Sequence, residues 1–290
     1  MQKSVFTSHV IEGLDGSGKS TYAFAAANAL TKKGVNCLVV HLPQYAPQFG
    51  SYIDKLLHTQ NSEKELTIAE RMALYALNRL EVLPFIEKEI KKFAKSDLPL
   101  QVIFDRSPWS NIVTCAYYMI KNGIPKDLYS VMKEYHNLML ELDAYFIHAM
   151  HIEEATISIS MIHHTLSAAA MSADPKRTRG KDQYEVEDVQ ALVNELYGIV
   201  AKLNPQIVLY EQIKEDGVKV TPEEAGEIII SHMKTLYIPA IPKHEGILVA
   251  LIVPGNLTRE TVPFKVMESI FQKPGYERLK EVAETLYPEI

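Results

Sequence analysis

The sequence predicts an α/β protein in three layers: a parallel five-stranded sheet between helices, followed by a C-terminal extension. Three observations predict it. Short apolar segments alternate with helix-forming segments, the pattern of a parallel sheet covered on both faces. The first strand-to-helix turn is Gly13-Leu14-Asp15-Gly16-Ser17-Gly18-Lys19-Ser20. The third strand candidate ends in Asp105-Arg106, and ligands of such sheets sit beyond the carboxyl ends of the strands.

Each element has its own signal. Val5–Leu14 is apolar and β-prone, and Ser20–Lys32 is rich in Ala and closed by Gly34. Asn36–His41 is a short apolar strand, followed by a loop over 42–50 with two prolines and a short helix over Tyr52–His58. Ile68–Phe93 reads as a long helix that Pro84 should kink or break. Pro99–Phe104 is strand three. Ser107-Pro108 then opens a helix, since Ser suits the cap and Pro the first helical position. A helix over Lys126–Glu141 precedes strand four at Ala144–Ala149, and Ile152–Met171 and Tyr184–Leu203 read as helices. Gln206–Tyr210 is strand five and Pro222–Thr235 the last helix of the core. The division is a domain over 1–237 and an extension over 238–290, whose apolar stretch Ile247–Val253 ends in Pro254-Gly255. That extension is either an extra strand and helix on the core or a small interaction element.

At 290 residues the chain suits one large domain with an appendage. A formal charge of −6 and a pI near 6.0 argue against a general nucleic-acid binder. Cys37 and Cys115 lie in apolar stretches and read as buried free thiols, as in a reducing compartment. No apolar run reaches membrane-spanning length and no signal-peptide pattern opens the chain, so a cytoplasmic protein without membrane contact is expected.

The glycine turn is a complete phosphate-binding P-loop, and it makes the arrangement one of the P-loop NTPase type. Gly13 and Gly18 allow the tight turn. The loop N–H groups and the helix N-terminus face an oligophosphate, Lys19 reaches its terminal phosphates, and the Ser20 hydroxyl meets Mg²⁺. Asp105 at a strand end is a second candidate for Mg²⁺, and Arg106 beside it for phosphate; a surface salt bridge is the plainer reading. Lys176-Arg177-Thr178-Arg179-Gly180-Lys181 places four cations in six residues, either a cover over a triphosphate or a solvated loop. Tyr75 and Arg79 share a helix face, as a base-stacking pair or as a core Tyr with a surface Arg.

Together these residues resemble the thymidylate kinase family of nucleoside monophosphate kinases. The resemblance runs over about residues 4–236, through Ile11-Glu12-Gly13-Leu14-Asp15-Gly16-Ser17-Gly18-Lys19-Ser20-Thr21, Leu74–Arg79, Asp105-Arg106-Ser107 with Ser110-Asn111, and a basic LID at about 172–184 followed by a helix with Tyr197. It implies transfer of the γ-phosphoryl of ATP to dTMP with Mg²⁺. Gly13, Asp15, Gly16, Ser17, Gly18, Lys19, Ser20 and Thr21 would bind ATP, and Ser20 and Asp105 the metal. Tyr75, Arg79, Arg106, Ser110, Asn111 and Tyr197 would bind the acceptor. Lys19, Arg106, Asp15 and LID cations, Arg177 and Arg179 with Lys181 as a further candidate, would carry the chemistry, because the small Gly16 matches members whose catalytic cation lies in the LID. A homodimer through helices beside the sheet is also implied, and Ile68–Phe93 offers an apolar face for it. Two positions depart from the family: Gln44 stands where an Arg often serves the acceptor phosphate, and Ser107 where an aromatic is usual. They leave open another monophosphate or a deoxynucleoside as acceptor. A non-catalytic nucleotide-binding module with a partner-binding tail is the competing class.

Overall fold

Six parallel strands form one sheet in the computed structural model of the chain, which describes residues 6–58, 66–161, 184–213, 218–233 and 244–288. The strands are β1 (Thr7–Gly13), β2 (Asn36–His41), β3 (Leu100–Asp105), β4 (Thr156–Met161), β5 (Ile207–Glu211) and β6 (Leu248–Ala250), in the order β5-β4-β1-β3-β2-β6. Central β1 pairs with β3 from Thr7–Gln101 to Ile11–Asp105, and with β4 from His9–Thr156 to Gly13–Ser160. This register brings the ends of β1, β3 and β4 together, which places the glycine turn beside Asp105 and Ser160.

The helices are α1 (Lys19–Lys32), α2 (Gln48–His58), α3 (Ile68–Phe93), α4 (Asn111–Asn122), α5 (Leu128–Leu142), α6 (Ala144–Ala149), α7 (Glu187–Leu203), α8 (Pro222–His232), α9 (Phe264–Phe271) and α10 (Glu277–Leu286). α1 and α8 cover one sheet face, over Ile11, Cys37, Val39 and Ile103. The alanines of α1 let α8 approach closely: a Cβ at Gly226 would lie 3.0 Å from Ala25 C and Ala26 N. The remaining helices share the larger core on the other face, with Val10, Leu38, Phe104 and Ile157. Both cysteines are buried and free, and burial pushes the Cys37 thiol up to about 12.

Four expectations are corrected. The sheet has six strands, because β6 of the extension pairs with β2 from Cys37–Leu248 to Val39–Ala250. Strand four is Thr156–Met161, within the stretch read as a helix, and Ala144–Ala149 is helical. The apolar hexamer lies across the sheet instead of within it, with Phe146 edge-on to Phe104 at 5.7 Å. The helix expected over Ile152–Met171 runs beyond the described residues after Met161. Of the kink or break expected at Pro84, the break is absent: α3 is continuous from Ile68 to Phe93. Thr67 and Glu70 cap its start reciprocally, and the neighbours of Pro84, Val82, Leu83 and Ile86, are buried, so packing outweighs the one lost N–H. Finally, most apolar residues of α3 are buried against α2, α4, α5, α9 and α10, its exposed residues are Lys88, Lys91 and Lys92, and Ile68, Ala69, Tyr75 and Phe85 stay half-buried.

Candidate active site

The P-loop turns on three left-handed glycines, Gly13 (φ 146°), Gly16 (φ 77°) and Gly18 (φ 86°). At Gly13 a side chain is excluded outright, since its Cβ would lie 2.7 Å from the Ser160 carbonyl oxygen. Lys19 opens α1, is buried, and donates to the Leu14 carbonyl at 2.6 Å while standing 3.5 Å from Asp15 Oδ1. Burial and the nearby Arg106 charge lower its pKa, opposed by Asp15, Asp105 and Glu12. Gln212, just past β5, donates its amide N–H to the Ser17 carbonyl and to Ser160 Oγ, so the strand ends brace the loop from below.

Ser20 donates to Asp105 Oδ2 at 2.5 Å, and His41 Nδ1 donates to the same oxygen at 2.8 Å. Asp105 Oδ1 is buried with no hydrogen-bond partner among the described residues. Burial alone would raise this carboxyl; the His41 bond and charge, Lys19 and Ser20 outweigh it and hold the pKa below the ordinary carboxylate range. A serine hydroxyl and a carboxylate with one vacant oxygen, beside a phosphate cradle, are hard oxygen donors that fit Mg²⁺, an ion that takes few protein ligands and completes its shell with phosphates and water.

Arg106 has a left-handed backbone (φ 76°), and its N–H bonds back to the Ile11 carbonyl at 3.0 Å. Its guanidinium pairs with Asp15 Oδ1. Burial pushes the Asp15 carboxyl up, but Arg106 and Lys19 outweigh it and hold it well below the usual range. Beneath them lies Glu12, fully buried, which accepts from Ser107 Oγ at 2.7 Å, Ser110 Oγ at 2.8 Å and Tyr197 OH at 3.1 Å. Ser107 also accepts from Trp109 N at 3.2 Å and so caps the 3₁₀ turn Pro108–Ser110. The small hydroxyl that stands where an aromatic is usual thus serves two bonds at once, to the Glu12 carboxylate and from the Trp109 N–H.

Beside the P-loop opens a small cleft. Asp15, Tyr75, Arg79, Arg106, Ser110 and Asn111 line it, together with the loop residues Leu42, Pro43 and Tyr45. Six residues singled out from the sequence thus meet in one cavity. Arg79 is buried, not on the surface, and pairs with Asp143 through Nε–Oδ1 at 2.5 Å and Nη2–Oδ2 at 2.7 Å. Asn111, at the start of α4, is buried with neither side-chain polar atom bonded among the described residues. Tyr197 is not brought to the cleft: it is fully buried on Glu12. The Ser110 hydroxyl is on the wall but engaged by the same carboxylate. Gln44 turns away, its amide donating to the carbonyls of His41 at 3.0 Å and Leu251 at 3.3 Å. Arg177, Arg179, Lys181 and the basic LID lie outside the described residues. Sequence reasoning passed over Glu12, His41, Asp143 and Tyr184, the last a further residue of the cleft wall. Glu12 stands inside the motif and His41 at a strand end, so both were visible by position. Asp143 and Tyr184 are close only in three dimensions.

The sheet, the glycine turn and the strand-end Asp105 define a P-loop α/β protein. The family model described as thymidylate kinase matches residues 11–155, half of the chain. The chain is 32% identical to a probable thymidylate kinase of Methanococcus maripaludis strain C7 over 129 residues, covering 43% of this chain and 53% of the relative. It is 29% identical to a thymidylate kinase of Brachyspira hyodysenteriae over 147 residues, covering 50% and 64%. The chain belongs to the thymidylate kinase family. It spans about half the length of the curated relatives it matches. Among the described residues no helix is long and apolar enough to cross a membrane.

Proposed function

We propose that this chain is a nucleoside monophosphate kinase that transfers the γ-phosphoryl group of ATP to dTMP, giving dTDP and ADP. The observation that carries the reading is Asn111: a buried amide whose acceptor and donor find no partner among the described residues, on the wall of a cleft that also holds a tyrosine ring and adjoins the P-loop. A carboxamide of this kind matches the donor–acceptor edge of a pyrimidine, and leaving it unpaired costs free energy until such a ligand arrives.

In this reading Tyr75 stacks on the base and Asn111 reads its edge, with Arg79 held beside them by Asp143. Arg106 exchanges Asp15 for the acceptor phosphate, and Asp15 is freed toward the sugar hydroxyl. Residues 13–21 hold the triphosphate of ATP, Lys19 leaving the Leu14 carbonyl for its terminal phosphates. Ser20 and Asp105 hold Mg²⁺, which neutralises phosphate charge when bound. An acceptor phosphate oxygen attacks the γ-phosphorus as the bond to the bridging oxygen breaks, so no strong base is needed and positioning with charge stabilisation does the work. Arg177, Arg179 and Lys181 are the candidates for a cation that covers the transferring group. Family membership supports nucleotides as the ligands.

One observation favours a second reading, a deoxynucleoside kinase. Both cations of the cleft already have carboxylate partners, and Gln44 brings no charge. The deciding experiment is ADP formation from ATP and Mg²⁺ with dTMP, other monophosphates and thymidine in turn. Selective turnover of dTMP supports the proposal. Preference for thymidine moves the chain to the second reading, and ATP binding without turnover of any acceptor moves it to a nucleotide-binding module.

A further inference from the structure

The loop that supplies Leu42, Pro43 and Tyr45 to the cleft is gripped from two sides. From α3, Asn78 accepts from the Gln44 N–H at 3.1 Å and donates to the Gln44 carbonyl at 2.9 Å, clamping that residue's backbone in both directions. Glu81, one turn further on, accepts from the N–H groups of Phe49 at 2.8 Å and Gly50 at 3.3 Å, so a carboxylate faces the first turn of α2.

From the extension come further contacts. Tyr287 OH donates to Glu81 Oε1 at 2.6 Å. Gln48 accepts from the Leu257 N–H at 3.1 Å and donates to the Leu257 carbonyl. Leu251 accepts from Gln44. Gly255 passes so close that a Cβ there would lie 3.0 Å from the Ala46 carbonyl oxygen. Tyr287 is itself fixed: Arg259 donates to its carbonyl at 2.6 Å and 2.9 Å, and its ring packs against Phe49 and Phe264. Apart from those that fix Tyr287, these contacts end on residues 44–50 or on the side chain that holds them; elsewhere the extension pairs β6 with β2 and bonds the Leu279 N–H to Glu70.

We infer that residues 248–287 are a working part of the acceptor side, with Tyr287 a positioning residue that acts through Glu81 on the loop 42–50. The inference rests on the acceptor-cleft reading above. A loop freed of its clamp regains backbone entropy and forms the cleft wall only part of the time. Apparent acceptor affinity then falls by that fraction, while ATP, held by the P-loop, is unaffected.

Tyr287→Phe removes one hydroxyl and keeps the ring. The expected result is faster hydrogen exchange in the peptide holding Phe49 and Gly50, with the peptide over 13–21 unchanged. The KM for dTMP should rise about tenfold, the equivalent of one lost hydrogen bond to a charged group, at constant kcat and constant KM for ATP. Gln44→Ala, which cuts the tie to Leu251 from the other end, should give the same split. Unchanged exchange at Phe49 and Gly50 overturns the inference. So does faster exchange with an unchanged dTMP KM, or a fall in kcat alone, either of which marks a merely structural contact. If the wild-type chain makes no ADP from any acceptor, the kinase reading fails separately. The clamp is then judged on exchange and on dTMP affinity by titration calorimetry, and unchanged values in the variant overturn it.

Discussion

Arg79 and Asp143 face each other as two parallel forks, 2.5 Å and 2.7 Å apart, in the wall of the cleft and out of reach of solvent. The pair joins α3 to the start of α6 and fixes a guanidinium that would otherwise swing. Removing one partner leaves a buried, uncompensated charge. Asp143→Ala should therefore destabilise the fold by about 3–5 kcal/mol, read by chemical denaturation. Asp143→Asn keeps the shape, and should lose less stability while still weakening dTMP binding.

Gly13 is the tightest point of the P-loop. Gly13→Ala combines a disfavoured backbone angle with a Cβ pressed on the Ser160 carbonyl. A cost of at least about 1–3 kcal/mol is expected, together with loss of ATP binding in a fluorescent-nucleotide titration.

Ser107→Ala takes one donor from buried Glu12 without adding bulk. Burial already raises the pKa of this carboxyl against the pull of Ser107, Arg106 and Ser110. The variant should lose about 1–3 kcal/mol in denaturant titration at neutral pH, where the carboxylate needs its donors most.

His9 makes stability depend on pH. It is fully buried between β1 and its neighbours, with Nε2 3.1 Å from Ser158 Oγ, which in turn is 2.9 Å from His232 Nδ1. Burial, helped by His232, lowers its pKa from 6.5 to about 3. The unfolded chain takes up the proton below its pKa of 6.5 and the folded chain does not, so the unfolded state binds more protons in that interval. The contribution is fully present above pH 6.5 and is lost as pH falls toward 3, on the order of 5 kcal/mol in all. His9→Gln should flatten that part of the stability-versus-pH curve; an unchanged slope between pH 6.5 and 4 would sink the prediction.

The parts of the fold legible in the sequence were those with local causes. Ile68–Phe93 carries its own cap and apolar stripe, and the P-loop carries its own glycines. Strand four was misplaced because Ala144–Ala149 is the more apolar hexamer, whereas Thr156–Met161 alternates isoleucine with serine. Those serines lie inside the protein because the sheet is covered on both faces and each finds a partner, Ser158 on His9 and Ser160 on Gln212. That pairing is a fact of tertiary structure, not of composition. In the site, Lys19, Ser20, Asp105 and Arg106 were readable from motif and strand-end position. Asp143 behind Arg79 and Tyr287 behind Glu81 were not, since 64 and 206 residues separate the partners.

Those long separations bear on the order in which the molecule is built. The P-loop and its braces, Glu12, Asp105 and Gln212, are all made by residue 212, but the clamp on residues 44–50 waits for Leu251, Leu257 and Tyr287. On the ribosome, where the N-terminal portion emerges first, the residues of the glycine turn and its braces precede those of the clamp by some tens of residues of synthesis.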